Sequence, residues 1–217
     1  MKPASSGSAP ARRARGRAGQ RARGFTLIDV LVLIVLVGTV AGSFTVLFGK
    51  LAAQSAQALR DRQALAIGQA LLAEVRGMPF TYCDPGDARA SLATGAFVGG
   101  TGCASTVDAL GPEAGESRYS AANRFDGVSD YNGLALPGPG CAAGICDING
   151  TLLNPAGGML TGCQANVAMA PQALTGIAAL DANGRPQVLR IAVTVRCPGA
   201  GDVVLEGLKV RHAPNRI

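Results

Sequence analysis

Arg23-Gly24-Phe25-Thr26-Leu27-Ile28-Asp29 joins an Arg-rich N-terminal segment to an apolar run, Phe25 to Phe48, in which Asp29 is the sole charge. As a helix, a run of that length rises about 36 Å, enough to cross a hydrocarbon core of roughly 30 Å. The stretch therefore reads as a membrane helix. The order of its parts is unusual. A secretory signal places its cleavage site after an apolar stretch of about 7–15 residues. Here the processing point, Gly24-Phe25, precedes the apolar run, so a cut there leaves the helix on the mature chain.

Gly24, Phe25, Thr26, Leu27, Ile28 and the acid Asp29, followed by an apolar helix and preceded by a basic leader, resemble the type IV prepilin family, whose leaders end in Gly before Phe-Thr-Leu-Ile-Glu. The one departure is Asp29 where the family most often carries Glu. The resemblance implies cleavage after Gly24 by a membrane prepilin peptidase, N-methylation of Phe25, and assembly into a filament through the N-terminal helix. The protein is then a substrate of that enzyme and not itself an enzyme.

The formal charge of +6 would ordinarily suggest nucleic acid. Yet Lys2, Arg12, Arg13, Arg15, Arg17, Arg21 and Arg23 all fall within residues 1–24, with no acid among them; removing these seven from 20 basic residues leaves 13 against 14 acids. The basicity belongs to the leader, and no nucleic-acid partner is expected. A Lys/Arg cluster before a membrane helix holds that end in the cytoplasm. The expected location is the inner membrane, single-pass with the head in the periplasm, and then the pilus or cell surface.

A carboxylate at the centre of a membrane helix costs about 2.5–3.5 kcal/mol on insertion scales, and less near an interface. Asp29 is open to two readings: an interfacial acid that snorkels to water or stays protonated, or an assembly contact. In the family resembled, the matching acid meets the free amine of a neighbouring subunit, which here would pair Asp29 with Phe25 of another copy. Asp is one methylene shorter than Glu, which bears on the reach of that pair.

Residues 49–76 continue as a soluble helix. The stretch Lys50–Arg76 holds no Pro, and Leu51, Ala58, Leu65 and Leu72 recur every seven residues beside Ile67, Leu71 and Val75. Gly77 and Pro79 stop it. The expected helix, Phe25 to Arg76, is about 78 Å long. Its apolar stripe is expected to pack on the head.

Residues 77–165 read as a Gly/Cys-rich loop region carrying Cys83, Cys103, Cys141, Cys146 and Cys163, with Cys197 beyond it. An even number of cysteines on the translocated side favours disulfides. Six permit 15 pairings, among which the sequence does not choose. The working expectation is Cys83–Cys103, Cys141–Cys146 and Cys163–Cys197. Zinc competes at Cys141 and Cys146, but no second close Cys or His pair accompanies them.

Residues 166–217 read as an antiparallel sheet, with runs at Asn166–Ala170, Ile177–Leu180, Val188–Val195 and Val203–Val210 around the turn Asp181–Pro186. Ile191, Val193 and Val195 alternate toward one face. The fold class is α+β, a long N-terminal membrane-spanning helix continuing into a head whose antiparallel sheet packs on it, the pilin-like layout.

Gly111-Pro112-Glu113-Ala114-Gly115-Glu116-Ser117-Arg118, Phe125-Asp126, Asp130-Tyr131-Asn132-Gly133 and Val203–Gly207 resemble the D-type minor pilins of MSHA (mannose-sensitive haemagglutinin) pilus systems. The partners this implies are other pilin subunits, prepilin peptidase, the inner membrane and the pilus assembly machinery. A minor pseudopilin of a type II secretion system is the neighbouring alternative, and a pilus-tip adhesin binding through the loops of 81–165 is another. The Cys-rich insert 137–163 has no counterpart in the family.

Other motifs carry less. Asp126, Asp130 and Asn132 hint at a calcium loop, but Val128 stands where that pattern needs an acid or amide. Asn149-Gly150-Thr151 is a glycosylation sequon read as a turn. His212, the sole histidine, has no nucleophile beside it, so a membrane-bound hydrolase lacks support. Gly99-Gly100-Thr101-Gly102 lacks the Lys of a phosphate loop. No metal or cofactor is expected.

Overall fold

The computed structural model describes residues 24–153 and 160–211. Most of the basic leader, Lys2 to Arg23, and His212 lie outside the described residues. The chain divides into two units, residues up to Lys50 and residues from Leu51 onward.

In the first unit, helix α1 (Leu27–Gly77, continuing into the second unit) presents its apolar residues uncovered. An 18-residue window reaches a mean hydropathy of 2.6 with none of it buried, so this one helix is long and apolar enough to span a membrane. Three hydroxyls interrupt its apolar surface, and each is satisfied within the helix: Thr39 Oγ1 donates to the Leu36 carbonyl, Ser43 Oγ to that of Thr39 and Thr45 Oγ1 to that of Ala41, at 2.8–2.9 Å. A hydrocarbon surrounding therefore leaves none of these donors orphaned.

The second unit is the head. A four-stranded antiparallel sheet runs in the order β1 (Ala135–Leu136), β2 (Gln164–Pro171), β3 (Val188–Arg196), β4 (Val203–Val210). Val193 sits between Val167 and Leu205 across the ladder. The inward positions of β3, namely Leu189, Ile191, Val193 and Val195, are fully buried, as the alternation predicts. Each such side chain contributes roughly 1.5–3 kcal/mol on burial. Ala165, Val167 and Met169 extend that face along β2, and Ala64, Ile67, Leu71 and Val75 of the helix close it.

Of the expected stripe, Ile67, Leu71, Leu72 and Val75 pack on the head as predicted, but the rest of its seven-residue repeat does not. Leu51 and Leu65 remain 50% and 38% exposed, and Ala58 is exposed as well; of the seven-residue repeat only Leu72 packs on the core. An α-helix of 3.6 residues per turn drifts from a strict period of seven, and a single straight helix on a sheet uses i, i+3, i+4, i+7 instead. The buried set Ala64, Ile67, Gly68, Leu71 and Val75 follows that spacing. Gly68 is part of the fit, since a Cβ there would lie 3.0 Å from Leu205 Cδ1 and 3.4 Å from Val195 Cγ2.

Two further expectations are corrected. Ile177–Leu180 is no strand: isolated bridges join Leu174 to Ile177 and Leu180 to Pro186, and Asp181 Oδ1 accepts from the amides of Asn183 and Arg185 to close the turn. Its end residues bridge to near neighbours in sequence, closing local turns in place of a ladder. The region assigned to loops also supplies β1, and it ends in the first two residues of β2, so the sheet does not begin at 166.

Candidate functional site

The start of α1 is built by Thr26 and Asp29. The Thr26 amide and hydroxyl both donate to Asp29 Oδ2, at 3.0 and 2.8 Å, and Thr26 Oγ1 accepts from the Asp29 amide at 3.2 Å. This is a reciprocal capping box, in which an acid at the third helical position closes on the residue that caps the helix. The first helical bond, Val30 N to Thr26 O, follows directly. Gly24 and Phe25 consequently stand outside the helix, with Phe25 86% exposed. A peptidase could bind such a segment without unwinding a helical turn.

A buried charge pair of the head lies on the core-facing side of α1. Arg118 donates through Nε to Glu74 Oε1 (2.7 Å) and through Nη2 to Glu74 Oε2 (2.6 Å); its side chain is 5% exposed and that of Glu74 17%. Nη1 donates to the Tyr119 hydroxyl at 2.7 Å and to the Cys146 carbonyl at 3.0 Å, while the Tyr131 hydroxyl donates to Glu74 Oε1 at 2.8 Å. Burial alone would pull the Arg118 guanidinium down, but Glu74 outweighs it and the net shift is upward. Burial, then Glu74, pushes the Tyr131 phenol up, so it stays a donor. Arg118 and Tyr131 of the two motifs quoted from the sequence are thus held together by Glu74. Asn132 Oδ1 accepts from the Met169 amide, and Gly133, at φ +86°, turns its amide onto the Val167 carbonyl.

Two of the three side chains of the calcium-loop pattern are turned onto backbone amides. Asp130 Oδ2 accepts from the amides of Asp126 and Gly127, and Asn132 is spent on β2. Instead, carboxylate oxygens of Asp84, Glu113 and Glu116, and of Asp108, Glu113 and Asp130, come within 4.8 Å of one another. Among the described residues these are the groups close enough to share a cation. Burial pushes Asp108 up to about 7 and raises Glu113 and Asp130 too. Asp108 and Glu113 therefore keep their protons to higher pH than ordinary carboxyls do.

Three disulfides join Cys83–Cys103, Cys141–Cys146 and Cys163–Cys197, the same three pairs as the working expectation. Cys163–Cys197 lies in the main core. Cys83–Cys103 centres a small cluster with Ala93, beside Asp87, which sequence reasoning missed. Asp87 accepts from the amides of Thr106, Ala104, Arg89 and Ser105, and these bonds hold its carboxyl far below the usual range. The insert 137–163 is not separable, for it contains Cys163 and the Cys146 carbonyl that Arg118 binds.

No family model, curated protein or solved structure matches the chain.

Proposed function

We propose that the protein is a minor pilin-like structural subunit of a type IV, MSHA-like filament. It is made as a precursor, cut after Gly24 by prepilin peptidase, methylated on Phe25, and assembled through α1. The observation that carries this reading is the juxtaposition at the helix start. An exposed, non-helical Gly24-Phe25 junction stands directly before a Thr26–Asp29 capping box, and that box opens an uncovered apolar stretch, ending at Phe48, with a single charge. Cleavage there would remove the cytoplasmic basic anchor while keeping the helix, which suits a subunit later lifted from the bilayer. The head, stapled by three disulfides, suits the periplasm and then the cell surface. Its partners are other pilin subunits and the assembly machinery.

The test is filament incorporation. Sheared filaments from cells making the intact chain are expected to contain it, and the Asp29→Ala chain is expected to be cut yet to remain in the membrane. Absence of the unaltered, processed chain from filaments would remove this reading and favour a membrane-resident role such as a secretion pseudopilin.

A further inference from the structure

Residues 145–153 form a small hairpin. The Leu153 amide donates to the Ile145 carbonyl at 3.0 Å, an isolated bridge pairs Cys146 with Leu152, and the Asp147 amide donates to the Thr151 carbonyl at 2.9 Å. Its base is fixed: Ile145 and Cys146 are buried, and Cys146 is held by its disulfide to Cys141 and by Arg118 on its carbonyl. Asn149 and Thr151 stand exposed at the tip. We infer that Asn149 is a glycosylation site, its carboxamide nitrogen taking an oligosaccharide from a lipid diphosphate carrier. This rests on the filament reading above, which puts the head on the translocated side, where the sequon Asn149-Gly150-Thr151 marks an acceptor.

A sequon is a short pattern, and what sets this one apart is the bonding of its turn. Asp147 closes the turn: its Oδ1 accepts from the amides of Asn149 and Thr151 at 2.9 and 2.8 Å, and its carbonyl accepts from the Gly150 amide at 3.1 Å. Gly150 takes the left-handed conformation, at φ +80°. Asn149 and Thr151 serve the turn through their backbone alone. Among the described residues, no hydrogen bond uses the Asn149 carboxamide or the Thr151 hydroxyl. An Asn in a turn ordinarily earns its place by tolerating positive φ or by closing the turn with its side chain. Here Gly150 does the first and Asp147 the second, so the two side chains that the sequon specifies are left for a transferase. In the transfer, a bond forms between Asn149 Nδ2 and the anomeric carbon of the sugar, and the bond from that carbon to the diphosphate oxygen breaks. The lipid diphosphate leaves with the electron pair, and one Nδ2 proton passes to a base on the transferase. No other Asn of the chain has Ser or Thr two residues on.

The experiment takes the full chain from the filaments and membranes of its own cell and reads two masses, that of the N-terminus and that of the peptide carrying Asn149. This peptide should be heavier by the mass of an oligosaccharide. The increment should vanish in Asn149→Gln and in Thr151→Val and persist in Thr151→Ser, which keeps the hydroxyl. All three variants should fold with the parent's disulfides, because neither side chain holds the turn. A peptide bare at Asn149, or changed only by deamidation to Asp, on a chain processed to Phe25 and present in filaments would overturn the inference and leave the filament reading intact. The oligosaccharide on a chain that keeps its leader and stays out of filaments would uphold the inference and remove that reading. An increment that survives Asn149→Gln would place the sugar on another residue and overturn the assignment.

Discussion

Arg118 grips both carboxylate oxygens of Glu74, at 2.7 and 2.6 Å, and so ties the loop after Gly111 to the helix that carries the N-terminal junction. Both side chains are largely withdrawn from water. Removing one partner of such a pair leaves an uncompensated charge, at a cost of about 3–5 kcal/mol. Arg118→Met or Glu74→Leu should therefore lower the unfolding free energy by that order in denaturant titrations, and the double change should recover part of it. Equal and additive losses would contradict the pairing.

The disulfides should rank by where they sit and how much chain they close. Cys163–Cys197 spans 34 residues in the core, Cys83–Cys103 spans 20 beside the Asp87 loop, and Cys141–Cys146 spans only five. Loop closure favours longer spans, with typical losses of about 2–5 kcal/mol on removal. Paired Cys→Ser variants should lower Tm in that order, most for Cys163/Cys197.

Gly68 marks the closest approach of helix to sheet. Gly68→Leu should destabilise the head by about 1–3 kcal/mol through overpacking on Leu205 and Val195. Gly68→Ala gains helix propensity against a 3.0 Å contact with the movable tip of Leu205, so its effect should be much smaller. Chemical denaturation of both variants checks the difference.

Asp108 gives a pH dependence whose sign follows from its burial. Its carboxyl is held up to about 7 in the fold, mainly by burial and further by Asp130 and Asp84, with the Ser129 hydroxyl and Arg211 pulling it partly back; its ordinary value is 3.8. Between those values the unfolded chain has released a proton that the folded chain keeps. The folded state therefore loses stability as pH rises through that window, and the penalty levels off above it. Glu113 and Asp130 act in the same direction. Tm should be higher at pH 5 than at pH 7.5, and Asp108→Asn should flatten the change. A Tm that climbs over that interval would contradict this assignment.

Much of the architecture was legible because it rests on one-dimensional patterns. The apolar run of α1 and the alternation of Ile191, Val193 and Val195 state their own geometry, and β2, β3 and β4 lie close to where the runs predict them. Ile177–Leu180 failed because an apolar run of four cannot be told from a turn flank without knowing its neighbours. The repeat at Leu51, Ala58 and Leu65 misled because spacing of seven does not choose a face on a single helix. Glu74 was readable in principle: it is the one acid between Asp61 and Gly77, three residues after Leu71 and seven after Ile67, hence on the buried side and in need of a cation. Asp87 and the Asp108 cluster carry no such signal, since their partners are loop amides and distant acids brought together only by the fold.

The central claim is the cut at Gly24-Phe25, and mass spectrometry of the chain recovered from membranes tests it most directly. The expected mature N-terminus is Phe25, carrying one methyl group, with residues 1–24 gone and the apolar helix retained. An intact leader, or an N-terminus beyond Phe48, would contradict the account.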